Sequence, residues 1–138
     1  MIIISEIMKW LYAFLSFIPG GLGSLFRRFY LKGTLKKLGN AGSFGTGITI
    51  TNPSEISIGN DPILSNGCFL YANEVGKISI GNSFHMNTNS CLAAANYGEI
   101  IIGDNVLIAQ NVVLRASNHN FARVDLPIKK QGHKGGVK

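Results

Sequence analysis

The chain has 138 residues, 46% of them hydrophobic and 14% charged, with 17 glycines. That composition excludes a disordered or collagen-like chain and asks for many tight turns in one folded domain with an appendage. The net charge of +6 sits at the two ends, where Lys9, Arg27, Arg28, Lys32, Lys36 and Lys37 face one acid, Glu6, and Lys129, Lys130, Lys134 and Lys138 close the chain. No nucleic-acid recognition module accompanies this charge, and Cys68 and Cys91 form neither a CxxC nor a Cys/His ligand spacing. Nucleic-acid binding and a cysteine–zinc site are therefore not expected, and a reducing cytoplasmic setting is.

Residues 2–18, rich in Ile, Leu and Phe, predict a helix that ends at Pro19-Gly20-Gly21. On that helix Ser5, Lys9, Tyr12 and Ser16 form one narrow stripe, with Glu6 and Ala13 beside it, and everything else is apolar. A run this short, carrying Glu6 and Lys9, falls below the roughly 20 apolar residues that a bilayer span takes. No basic region precedes it, so a signal peptide is a poor fit. Residues 24–38 follow as a basic and aromatic amphipathic stretch. Residues 2–38 are thus expected either to lie as an interfacial hairpin on an anionic cytoplasmic leaflet or to pack on the next domain or a partner subunit.

A repeat begins near residue 55. Ile58-Gly59, Ile80-Gly81 and Ile102-Gly103 stand 22 residues apart. Within each copy an aliphatic residue recurs every six: Ile58, Leu64, Leu70; Ile80, Met86, Leu92; Ile102, Ile108, Leu114. Two residues before each lies a second, mostly apolar position: Ile56, Pro62, Cys68; Ile78, Phe84, Ser90; Ile100, Val106, Val112. Residues two apart share one face of a strand, so each six is a short strand and a corner, and three of them close a triangular turn. The predicted fold is mainly β: a parallel β-helix with turns at 55–76, 77–98 and 99–116, spanning 41–138 behind a helical segment at 1–40. Ile48 and Ile50 align with the third side of a partial earlier turn. The residues left over in each repeat, Asn73-Glu74-Val75-Gly76 and Ala95-Asn96-Tyr97-Gly98, are expected to loop out at one corner. Asn60, Asn82 and Asp104 follow the glycines, at positions expected to take positive φ.

After Ala116 the period stops. An irregular loop, 117–135, opens with Ser117-Asn118-His119-Asn120-Phe121. Long loops of this kind in compact domains are usually functional or disordered, and a histidine at a corner favours function. Val137 is expected to be the inward residue of the next turn.

The stretch from Ile102-Gly103-Asp104-Asn105-Val106 to Val112, followed by the Ser-Asn-His-Asn-Phe loop, resembles the hexapeptide-repeat acetyltransferases. The most similar subset comprises the galactoside and maltose acetyltransferases and the O-acetyltransferases of surface-polysaccharide synthesis. Pro127-Ile128, Gln131-Gly132-His133 and the helix ending in Pro-Gly-Gly resemble the polysaccharide branch. The resemblance implies left-handed winding, an exception to the usual crossover rule. It further implies a homotrimer with active sites between subunits, acetyl-CoA as co-substrate, no metal, and a sugar hydroxyl as acceptor. His119 matches the family's general base and Asn87 its acceptor-binding asparagine. His85, outward beside Phe84, either lines the cleft with Asn87 or is a surface histidine. His133 is expected to order the loop, as are Asn118 and Asn120, and Asp125 to orient a histidine. In this family the pantetheine arm runs along turns after the histidine loop. Those turns would lie beyond Lys138, so the chain is expected to be the front part of a longer enzyme, with no coenzyme A contact assignable.

Two other readings compete. A γ-class carbonic anhydrase would use three zinc-binding histidines, but His85, His119 and His133, spaced 34 and 14 apart, lack that class's close pair. A non-catalytic structural solenoid is the other.

Overall fold

The computed structural model describes residues 2–73 and 75–138, so Glu74 of the first expected corner lies outside the described residues. Helices α1 (Ile2–Phe17) and α2 (Gly20–Thr34) lead into a left-handed parallel β-helix of four turns. Turn one holds β1 (Lys37–Leu38), β2 (Ser43–Phe44) and β3 (Thr49–Thr51), and turn two β4 (Ile56–Ile58), β5 (Ile63–Leu64) and β6 (Phe69–Ala72). Turn three holds β7 (Lys77–Ile80), β8 (His85–Met86) and β9 (Cys91–Ala94), and turn four β10 (Glu99–Ile102), β11 (Leu107–Ile108) and β12 (Val113–Ala116). Like strands of successive turns pair in parallel to make three flat faces. An antiparallel pair, β13 (Asn118–His119) and β14 (His133–Lys134), stands apart from them.

The register stacks the six-residue positions into columns. Ile58 lies over Ile80 and Ile80 over Ile102; Leu64 over Met86 over Ile108; Leu70 over Leu92 over Leu114. The second positions follow, with Ile56, Cys68, Ile78 and Phe84 fully buried. Each such Leu, Ile or Phe contributes roughly 1.5–3 kcal/mol by leaving water. Ser90 is the one polar residue in these columns at no exposure, and its hydroxyl donates to the Ala109 carbonyl (2.8 Å) while accepting the Val112 N–H (3.2 Å). Burial fades in turn four, where Leu114 is 39% exposed.

Turn one is complete, with three sides. Leu38 pairs with Ile58, Phe44 with Leu64 and Ile50 with Leu70, an offset of 20 residues instead of 22. Its third corner is the shorter one: Thr51 to Ile56 takes five steps where Tyr71 to Ile78 takes seven. Leu35 leaves the helix in an extended conformation, so residues 37–38, expected within the helical segment, form the first strand.

The corners correct a second expectation. Positive φ falls at Asp61, Ser83 and Asn105, one residue after Asn60, Asn82 and Asp104. The latter three instead act along the stack. Asn60 Oδ1 accepts the Asn40 N–H (2.8 Å), Asn82 Oδ1 the Asn60 N–H (2.8 Å), and Asp104 Oδ1 the Asn82 N–H. The preceding glycines let the turns approach: a Cβ on Gly81 would lie 2.3 Å from Asp104 Oδ1 and 2.7 Å from the Gly103 carbonyl carbon.

Helix α2 closes the first end of the solenoid, its Leu31 at 1% exposure joining the core with Leu35 and Leu38. Repeat proteins need such a cap. Arg27, expected on a basic surface, is instead 2% exposed. Its guanidinium donates to the carbonyls of Phe44 (3.0 and 2.8 Å), Leu15 (2.9 Å) and Ile18 (2.8 Å), tying the end of α1 to β2. The positive charge also sits where the α1 dipole is negative. Burial pulls the Arg27 pKa down, and Tyr12 opposes that. No helix among the described residues is long and apolar enough to cross a membrane.

Candidate functional site

His119 stands where the third face ends. β12 runs to the buried Ala116, Ser117 turns the chain, and β13 carries His119 out of the solenoid against β14. His119 and His133 are cross-strand partners, their rings 4.2 Å apart and tilted by 36°. With Arg115, Ser117 and Asn118 they line a shallow cleft of about 240 Å³. Arg115 Nε donates to Ser117 Oγ (3.0 Å), which holds the guanidinium at the cleft wall.

The rest of the loop orders this pair. The Asn120 N–H donates to the Gly132 carbonyl (3.0 Å), and its side-chain amide to the carbonyls of Gln131 (3.1 Å) and His133 (3.3 Å). Gln131 Nε2 donates to the carbonyls of Arg123 (2.7 Å) and Leu126 (2.8 Å), and its Oε1 accepts the Arg123 N–H (3.1 Å). Asp125 does not orient a histidine. It pairs with Arg123, whose guanidinium holds its carboxyl below the usual range. Val137 does not take the inward place. Its carbonyl accepts the Glu99 N–H (2.9 Å) as the Gly98 carbonyl accepts that of Lys77 (3.0 Å), so Val137 occupies the place of Gly98.

The other expected residues lie elsewhere. His85 is half-buried on the second face, stacked between Ile63 and Leu107 on the outward side. Asn87, also half-buried, follows at the second corner, and its amide donates to the Ile108 carbonyl (3.0 Å). The width of the third face separates them from His119, so one chain does not bring them into one cleft. His85 likewise joins no site with His119 and His133, and the described residues hold no cluster of three metal-ligating side chains. Arg115, Ser117 and the organising role of Gln131 were not read from sequence. Arg115 could have been found as a charge on β12 in the column of Tyr71 and Ala93. A larger cavity of about 490 Å³ lies between the helices and β3, lined by Tyr12, Tyr30, Leu31 and Ile50. Its two phenols are engaged, Tyr12 to the Ile48 carbonyl and Tyr30 to that of Met8, and no imidazole lines it.

An exposed imidazole beside a guanidinium can take a proton from a bound hydroxyl or amine while the cation offsets developing negative charge.

The three-faced winding with a loop leaving the last described turn defines a left-handed β-helix protein of hexapeptide-repeat type. Among solved structures the chain is similar to the D94A mutant of AntD, an N-acyltransferase from Bacillus cereus, in complex with dTDP and coenzyme A. The TM-score is 0.64 at 23% identity, over 80% of this chain and 59% of that one, and the likeness shows the fold. No protein-family model and no curated protein matches the chain.

Proposed function

We propose that this protein is an acetyl-CoA-dependent O-acetyltransferase acting on a sugar hydroxyl in surface-polysaccharide biosynthesis, working in the cytoplasm as a homotrimer. The observation that carries the reading is the position of His119: an exposed imidazole where the repeat breaks, in a cleft with Arg115 and His133. The neighbour of like fold, an N-acyltransferase bound to coenzyme A and dTDP, supports an acyl-CoA donor and a nucleotide-linked acceptor. His119 takes the acceptor's proton as its oxygen attacks the thioester carbonyl. The C–O bond forms, the C–S bond breaks, and the imidazolium returns the proton to the departing thiolate. Asn87 and His85, remote from His119 in one chain, would meet the acceptor from an adjoining subunit.

That neighbour acylates nitrogen, which favours a second reading in which the acceptor is an amino sugar. One experiment addresses both. Thiol release from acetyl-CoA is followed with hydroxyl-bearing and amino-bearing nucleotide sugars, for the parent and His119→Ala. Turnover with the hydroxyl acceptors, falling about 10²–10⁴-fold in the variant, is expected. Turnover confined to amines selects the second reading. Full activity of His119→Ala overturns the general-base role in both readings, and absence of coenzyme A binding and of turnover in a chain extended past Lys138 leaves a structural solenoid.

A further inference from the structure

Helix α1 is packed inside out. Tyr12 and Ser16 of its polar stripe face the protein, where the Tyr12 hydroxyl donates to the Ile48 carbonyl (2.7 Å) and Ser16 is 4% exposed. Its apolar stripe faces away: Ile7, Trp10, Phe14 and Phe17, at helical spacing, are 59–76% exposed. Helix α2 adds Phe26 and Phe29, at 44% and 67%. A contiguous apolar surface beyond a few hundred Å² is rare on a soluble monomer and marks an interaction site.

We propose that the α1–α2 hairpin seats the protein on an anionic lipid surface, lying in the headgroup boundary without crossing the bilayer. Length rules against a span, since 16 residues of α1 reach about 24 Å, short of a hydrocarbon core of about 30 Å. Charge selects the occupant. With Arg27 engaged inside the protein and Lys9 paired to Glu6 (2.6 Å), the hairpin and its exit still carry Arg28, Lys32 and Lys36 with no further acid. Anionic headgroups complement those cations, whereas a second copy docked hairpin to hairpin would bring like charges together. The aromatic and aliphatic stripe supplies the inserted face of an interfacial helix.

Trp10 is the chain's single tryptophan, so its emission reads this contact directly. The full chain is mixed with phosphatidylglycerol–phosphatidylcholine vesicles and with pure phosphatidylcholine vesicles. Expected are co-sedimentation and a blue shift of Trp10 emission with the anionic vesicles, quenching by brominated acyl chains, and weaker binding in high salt. Phe14→Ser with Phe17→Ser, both on the exposed face, leaves the circular dichroism intact and abolishes binding. Lys32→Ala and Lys36→Ala each weaken anionic-vesicle binding about fivefold. Unchanged emission with no sedimentation overturns the proposal. So does emission already blue-shifted without vesicles in a species that light scattering shows to be a dimer, which assigns the face to a second copy.

Discussion

Replacing Arg27 tests how the helical cap is held. Its guanidinium reaches the carbonyls of Phe44, Leu15 and Ile18, from two segments far apart in sequence, at 2.8–3.0 Å. Arg27→Met keeps the length of the stem and removes both the donors and the buried charge. Relief of the charge's desolvation offsets part of the loss, because a buried ion costs several kcal/mol. The three carbonyls are then left short of a donor, at about 1–3 kcal/mol each. The net loss expected is about 3–5 kcal/mol, a large fraction of a typical 5–15 kcal/mol stability. Arg27→Lys is expected to be no better, since one ammonium cannot span carbonyls on both sides and its charge stays buried. Urea unfolding followed by circular dichroism measures the midpoint and slope, and a constant slope assigns the change to stability. A loss under about 1 kcal/mol for Arg27→Met, or parent-like stability of Arg27→Lys, would refute the reasoning.

Two of the glycines at the first corner separate close approach from flexibility. Gly81→Ala, whose Cβ meets Asp104 and the next turn's backbone, is expected to cost about 1–3 kcal/mol; Gly103→Ala, with nothing within 4 Å, should leave Tm nearly unchanged. Burial, helped by the stacked Tyr30, pushes the Tyr12 phenol up from 10.0 to about 12. The fold favours its neutral form, so this contribution is complete below pH 10 and is lost as pH rises towards about 12. Over that window the parent should lose about 2–3 kcal/mol more than Tyr12→Phe in urea titrations; parallel curves would contradict this. Gln131→Ala removes three hydrogen bonds within the histidine loop but none of the solenoid's. Faster proteolytic cleavage within 121–130 at unchanged Tm is expected, and resistance equal to the parent's would show that the loop is held otherwise.

Turns two to four were legible because inward residues must recur every six and identical corners keep the recurrence in phase. Of turn one only the third side, at Ile48 and Ile50, was legible; a corner two steps shorter hid the rest, although Leu38-Gly39-Asn40 repeats Ile58-Gly59-Asn60. Corners project outward, so their length varies without disturbing the stack beneath, and a search at one period passes over them. The fate of Arg27 was illegible for a different reason. Composition marks it as a surface cation, and only the convergence of α1 and β2 supplies the carbonyls that accept it. The histidine loop was legible as a break in period, but the pairing of His119 with His133 depends on an antiparallel return that no periodicity announces. Asn87 could be placed on its corner, yet nothing in a linear pattern measures the distance across a face to His119.

The ladder of Asn and Asp side-chain oxygens along the first corner has a consequence for how this molecule can change over generations. Each rung repeats the same contacts at a spacing of about 4.8 Å, so inserting or deleting a whole repeat preserves every column, while a partial one does so only where, as in turn one, the missing residues come out of a corner. Length is thus adjustable only in whole rungs. With three steps between them, the first turn, which bears the cap, and the fourth, which leads to the histidine cleft, are held about 14 Å apart along the axis. A lineage that gained one repeat would raise the histidine by a single rung and leave the chemistry of both ends intact.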